Sequence, residues 1–154
     1  MRMWFKQMVS AVDYLHDNNF IHRDLKPNNV LFLGKDHVKL CDLGVATQRH
    51  HEDQTESACI RSVEGTRLYM SPELRREEEY GSKTDVFSLG LILAELCVVM
   101  TKDIRIEIFS NYRAGKQCEL VTDKNTVNFC QLLTQVDSMS RPTCREMLDH
   151  LFLA

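Results

Sequence analysis

The stretch His22-Arg23-Asp24-Leu25-Lys26-Pro27-Asn28-Asn29 is followed, after a short gap, by Asp42-Leu43-Gly44. Its side chains suit phosphoryl transfer from a metal-bound nucleotide. That chemistry needs a carboxylate to orient the attacking hydroxyl and a cation to offset charge on the moving group. It also needs oxygen ligands that hold magnesium. Asp24, Lys26, Asn29 and Asp42 can fill these roles in that order. Asp and Asn are common in turns, so any one of them alone would read as a capped turn. Their ordered combination is what carries the chemical reading.

The elements that must position these residues are legible around them. Trp4, Phe5, Met8, Val9, Val12 and Leu15 recur at helical spacing, which predicts an opening helix that ends near Asp17-Asn18-Asn19. It shows no N-cap signal, and the expectation is a chain that starts mid-helix. Val30-Leu31-Phe32-Leu33 and His37-Val38-Lys39-Leu40 flank Gly34-Lys35-Asp36, which predicts a β-hairpin aiming Asn29 and Asp42 at one point. From Val45 to Glu64 periodicity vanishes, which reads as a long polar loop, and loops of that length are uncommon in compact domains unless functional or disordered. Ser82 is expected to cap a helix whose first turn holds Asp85 and whose apolar run continues to Met100. Ser88 and Glu95 interrupt that run and it is too short to span a bilayer, so it reads as a helix buried nearly all round.

Further helices are expected over Lys102 to Arg113, stopped at Gly115, and over Val127 to Val136. Their core faces are Ile104, Ile108, Phe109 and Tyr112 in the first, and Val127, Cys130, Leu133 and Val136 in the second. Thr143-x-x-Glu146 forms a capping box opening the last helix, with Met147, Leu148, Leu151 and Phe152 inward.

The bulk composition bounds the alternatives. At 154 residues, 44% hydrophobic and 27% charged, the chain fits one globular domain over residues 1–154. A net charge of −3 provides no basic field for nucleic acid or an anionic membrane, so neither is expected as a partner. Arg75-Arg76 and Glu77-Glu78-Glu79 nearly cancel as a solvated loop. The six cysteines form no C-x-x-C pair, and Lys6, Gln7 and Asp13 break up the N-terminal apolar run. These features predict reduced thiols and a cytoplasmic location. His50-His51 lacks partners spaced to complete a metal site.

H-R-D-L-K-P-x-N, D-L-G, G-T-x-x-Y-M-S-P-E, D-V-F-S-L-G and S-R-P-T, in this order, resemble the protein-kinase signature set. The resemblance covers nearly the whole chain. It implies a mainly α fold, the kinase C-terminal lobe: a helical bundle around a buried central helix, with a small β-hairpin at the catalytic cleft and without an N-terminal lobe. It implies ATP and Mg2+ as cofactors. By resemblance, Asp24 positions the substrate hydroxyl and accepts its proton, and Lys26 contacts the γ-phosphate and favours Ser/Thr over Tyr. Asn29 and Asp42 bind magnesium, and Leu31 floors the adenine site. Asp85 accepts N–H bonds from the catalytic loop, Glu73 and Arg141 form a buried ion pair, and His22 stacks with Leu43. Leu43 and Phe87 replace the more usual Phe and Trp of their motifs.

Arg23, beside Asp24, implies control by a phosphorylated loop, with Thr47, Thr55, Ser57 and Ser62 as candidates. Thr66 is expected instead to contact Asp24 and Lys26. S-P-E, Phe87 and Leu89 to Leu96 look most similar to the stress kinases of the translation initiation factor two alpha subunit. That branch implies this subunit as substrate, docked by Thr101 and Arg105 on the helix from Thr101 to Arg113. It also implies a kinase dimer through the N-terminal lobe. No G-x-G-x-x-G sequence, V-A-I-K lysine or helix-C glutamate is present. The chain alone is therefore expected to be a partial, catalytically weak domain. The alternative is a truncated kinase-like decoy that binds substrate or partner, but a decoy has no chemical need for Asp24, Lys26, Asn29 and Asp42 together.

Overall fold

The computed structural model describes residues 1–44, 46–48, 67–116 and 123–153. Helix α1 (Arg2–Asp17) is followed by the short strand β1 (Phe20–Ile21), a tight turn at Pro27–Asn29, and the hairpin strands β2 (Val30–Leu33) and β3 (His37–Leu40). Strand β4 (Thr47–Gln48) pairs antiparallel with β1. Beyond it lie a 3₁₀ turn (Arg67–Tyr69), α2 (Pro72–Arg75), α3 (Lys83–Cys97), α4 (Lys102–Arg113), α5 (Lys124–Leu133), a second 3₁₀ turn (Ser138–Ser140) and α6 (Cys144–Asp149). The architecture is the helical lobe anticipated, with small antiparallel strand pairs at one end.

The apolar run of α3 explains its place. Every residue from Thr84 to Ala94 is buried, with Val86, Phe87, Leu89, Leu91 and Leu93 fully so. A helix hydrophobic on all faces is stable only when other elements surround it. Here α5 packs along one side, and α1 and the turns at Arg67–Tyr69 and Ser138–Ser140 complete the enclosure. Its buried polar residues are all committed: Thr84 and Ser88 bond the segment ahead of α3, and Asp85 bonds the loop after β1. Gly90 permits the close approach of α5. A Cβ there would stand 2.7 Å from Thr134 Cγ2 and 2.9 Å from Leu133 Cβ. Alanine in a helix normally gains about 1 kcal/mol over glycine. Here the overlap dominates, and Gly90→Ala is expected to lower unfolding free energy by roughly 1–3 kcal/mol in a denaturant titration.

Local signals held where their partners are close in sequence. The hairpin register pairs Val30 with Leu40 and Leu33 with His37 across Gly34, whose φ of +70° suits glycine. Thr143 and Glu146 form the capping box. Four expectations need correction. Ser82 makes no side-chain cap, because its own backbone is already helical (φ −55°, ψ −24°) and its carbonyl takes the Asp85 N–H. Helix α5 ends at Leu133, leaving Val136 beyond it and exposed, and buries Phe129 rather than Val127 in the core. Leu151 falls after α6 and is 88% exposed, whereas Met147 and Phe152 are buried. Ile104 lies toward solvent while Ile108, Phe109 and Tyr112 carry the inner face of α4.

Candidate functional site

The loop between β1 and β2 is held by side chains from distant elements. Asp85, wholly buried on α3, accepts the His22 N–H at 2.8 Å through Oδ2 and the Arg23 N–H at 2.9 Å through Oδ1. His16 Nε2 on α1 lies 2.9 Å from Asp85 Oδ2. The role expected of Asp85 is therefore geometrically satisfied, and His16 joins it unanticipated. A lone histidine late in an amphipathic helix is ambiguous in sequence, since its partner lies 69 positions away.

From that anchored backbone, three side chains converge. Lys26 Nζ donates to Asp24 Oδ2 at 2.7 Å, with both side chains largely buried. Asn29 Nδ2 donates to the Asp24 carbonyl at 2.8 Å and to Asp24 Oδ2 at 3.2 Å. Pro27 opens the tight turn that brings Asn29 back under Asp24, and the Asn29 N–H closes on the Lys26 carbonyl at 2.9 Å. Asp24 is thus held by its own loop in one orientation, with a cation against its carboxylate.

Asp42 comes to the same end of the hairpin. The Cys41 N–H donates to the Asn29 carbonyl at 3.0 Å, extending the β2–β3 ladder by one rung. Asp42 is the next residue, so its backbone lies within about 8 Å of Asn29 by strand spacing. Its carboxylate is exposed, with Oδ1 3.3 Å from the Gly44 N–H. Arg23 and Asp42 both adopt left-handed backbone, with φ of 65° and 63°. Such conformations cost on the order of 1–3 kcal/mol each in non-glycine residues and collect at functional sites. Here they bracket the converging side chains.

The donor set fits magnesium. Asn29 uses its amide nitrogen toward Asp24, which turns its amide oxygen the other way, and Asp42 supplies an accessible carboxylate. Two hard oxygen ligands suit an ion that keeps waters and phosphate oxygens in its remaining positions. Among the described residues no three His, Cys, Asp or Glu side chains gather into a metal cluster.

The other expected residues divide. Glu73 and Arg141 form a buried bidentate pair at 2.6 and 2.9 Å. Leu31 is exposed on the hairpin, accessible to a ligand. His22 is fully buried, but Leu43, following the left-handed Asp42, is 52% exposed and is not buried with it. Arg23 donates from Nη1 to the Tyr80 hydroxyl at 2.9 Å and lies over the Tyr80 ring, a contact sequence reasoning missed. Thr47 sits in β4, paired with Ile21. Thr55, Ser57, Ser62 and Thr66 lie outside the described residues.

The two residues expected to dock substrate, Thr101 and Arg105, both make bonds within the chain. Thr101 is the N-cap, its hydroxyl taking the Ile104 N–H. Arg105 is half-buried: its Nη2 pairs with Glu95 on α3 at 2.7 Å, and Glu95 also accepts the Tyr69 hydroxyl. Burial first, then the hydrogen bond to Glu95, raise the Tyr69 pKa well above the usual phenol range, so it remains a donor at neutral pH. Arg113 is turned inward. A long cation on an amphipathic helix reads as solvated in sequence, and only the packing shows what it reaches.

Comparison with known proteins agrees with this geometry. A family model described as protein kinase domain matches residues 1–153. The chain is similar to the eukaryotic translation initiation factor 2-alpha kinase pek-1 of Caenorhabditis elegans, at 36% identity over 167 residues, covering 99% of this chain and 16% of that protein. It is similar to the interferon-induced, double-stranded RNA-activated protein kinase of Rattus norvegicus at 37% identity over 149 residues, covering 96% of this chain and 28% of that protein. Over a shorter stretch, 93 residues and 60% of this chain, it is 50% identical to the serine/threonine-protein kinase TIO of Arabidopsis thaliana, of which it spans 7%. The chain thus spans less than a third of the length of each of these relatives.

Proposed function

Because this chain belongs to the protein kinase family, we propose that it carries the catalytic half of a Ser/Thr kinase site, transferring phosphoryl groups from ATP to a protein hydroxyl. The observation that carries this reading is the convergence of Lys26 Nζ and Asn29 Nδ2 on the Asp24 carboxylate. Asp24 orients the incoming serine or threonine hydroxyl and takes its proton. Lys26, already beside that carboxylate, is within reach of the transferred group and balances the charge gathering on it. Asn29 and Asp42 would hold Mg2+ through their side-chain oxygens, and the ion, when bound, neutralises phosphate charge. Leu31 offers an exposed apolar surface to the adenine ring. Asp85 and His16 keep the loop backbone in place, which matters because small displacements of a catalytic group cost rate steeply.

Lys26 supports Ser/Thr specificity, and similarity to the initiation factor 2-alpha kinase of Caenorhabditis elegans supports that subunit as acceptor. Regulation of translation under stress follows from that branch. The residues given contain no G-x-G-x-x-G, so half of the nucleotide cradle is not among them, and the chain by itself is expected to transfer weakly. The test measures Mg2+-dependent transfer from labelled ATP to the initiation factor subunit. It compares this chain alone with the same chain fused behind the glycine-rich N-terminal lobe of a relative. The fusion should label serine or threonine and lose activity on chelation of Mg2+, with the chain alone about 100-fold slower or worse. A fusion that folds, binds ATP and transfers nothing would defeat the kinase reading. Equal rates for the two would defeat the expectation of weakness.

A further inference from the structure

The chain has four tyrosines, and their settings differ. Tyr69 and Tyr112 are buried, and Tyr14 is exposed but fixed inside α1. Tyr80 is exposed and belongs to no helix or strand. It lies in an unbroken exposed stretch, residues 75–81, and the space around Gly81 is open. A loop of this kind can lift a side chain clear of its own surface, whereas a residue inside a helix cannot leave without breaking the helix. Three glutamates, Glu77-Glu78-Glu79, run directly up to Tyr80, and all three are exposed. The loop therefore presents an accessible phenol on a negatively charged segment.

A second observation concerns the hydroxyl itself. Arg23 Nη1 donates to Tyr80 Oη at 2.9 Å, and the guanidinium carbon lies 5.9 Å from the ring centre. The Arg23 backbone is held in turn, its N–H donating to Asp85 Oδ1 at 2.9 Å. A single hydrogen bond at an exposed position is weak enough to open, so it does not withhold the phenol. A phosphate on Oη would bring a charge of about −1.5 to −2 and three acceptor oxygens to that guanidinium. The planar fork of arginine takes phosphate oxygens two at a time.

We propose that Tyr80 is a phosphorylation site, modified by a tyrosine-directed kinase with a basic acceptor groove, and that Arg23 receives the phosphate. In that step the phenol oxygen bonds to the γ-phosphorus of ATP. The bond from that phosphorus to the β–γ bridging oxygen breaks, ADP leaves, and the phenol proton passes to a carboxylate of the modifying enzyme. The acidic run before Tyr80 supplies the charge complementarity that steers such an encounter. Once formed, the phosphate fixes the residue that precedes Asp24. The site and its receptor are independent of the kinase reading of this chain.

The test incubates the full chain with ATP, Mg2+ and a purified tyrosine kinase selective for acidic acceptor sequences. Peptide mass spectrometry and phosphorus NMR read the product. Tyr80 should be labelled about tenfold faster than Tyr14 or more, and Tyr80→Phe should carry under about a tenth of the parent's label. The second ionisation of the Tyr80 phosphate should have its midpoint about 0.5 pH or more below that in Arg23→Gln, because the guanidinium favours the dianion. Arg23→Gln keeps the amide that Asp85 holds, and the three glutamates act on the phosphate alike in both chains, so the difference isolates the guanidinium. Label absent from Tyr80, or spread equally over Tyr14, Tyr69 and Tyr112, would overturn the proposal. So would a phosphate whose ionisation is the same with and without Arg23.

Discussion

Replacing Asp24 by asparagine is expected to lower phosphoryl transfer by the fusion about 10²–10⁴-fold, with ATP affinity within about threefold of the parent. The substitution preserves size and leaves the supports of the loop untouched. Asp85 still holds the His22 and Arg23 amides, and Asn29 still donates to the main-chain carbonyl of residue 24. What disappears is the negative oxygen that Lys26 Nζ approaches at 2.7 Å and that the acceptor hydroxyl needs as a proton acceptor. An amide at this point can accept the lysine's hydrogen bond through oxygen, but it cannot take the substrate's proton. Loss confined to the transfer step, with binding retained, is the signature of a group acting in the transition state. A variant that keeps transfer within tenfold of the parent would remove Asp24 from the chemistry, leaving it a structural partner of Lys26 and Asn29.

The second large effect is on stability. Arg141 is fully buried, and its five N–H donors are all engaged. Nη1 and Nη2 bond Glu73 at 2.6 and 2.9 Å, and the remaining three bond the carbonyls of Gln135, Lys83 and Val136. The guanidinium also lies over the Phe87 ring at 4.9 Å. Glu73→Ala would leave this cation with two empty donors and no counter-charge. The expected cost is about 3–5 kcal/mol of unfolding free energy, a fall in Tm of roughly 10 °C for a chain of this size. Glu73→Gln, which keeps an acceptor, should cost less. A loss below 1 kcal/mol for the alanine variant would show that the pair contributes little.

The same pair makes stability acid-sensitive. Burial acts to raise the Glu73 pKa, but the hydrogen bonds from Arg141 and the arginine's charge together hold it below its ordinary 4.5. A depressed folded-state value means the carboxylate's contribution is complete above about pH 4.5. It is lost as pH falls through the lower folded value. Glu73→Gln should flatten that part of the profile.

Much of this protein was legible before its structure. The order Asp24, Lys26, Asn29, Asp42 stated a chemistry, because few reactions need those groups together. The apolar run from Val86 to Met100 announced a central buried helix, although the helix itself ends at Cys97, and Thr143 with Glu146 announced the start of another. The hairpin register, fixed by Gly34, followed as well. All of these depend on residues a few positions apart, where backbone geometry leaves few choices.

Tertiary structure alone decided the fate of the long cations and of groups whose partners are remote. Arg105 reads in sequence as a docking cation, yet it pairs with Glu95, and Arg113 at the end of the same helix reaches the carbonyls of Leu68 and Met70. His16 meets Asp85 across 69 positions. Ser82, a capping residue by type, lost that role because its backbone joined the helix. The physical reason is reach. Periodicity states which face of a helix is apolar. An arginine's flexible stem can place its charge on either side of that face, and packing of α4 against α3 and the Arg67–Tyr69 turn selects between them.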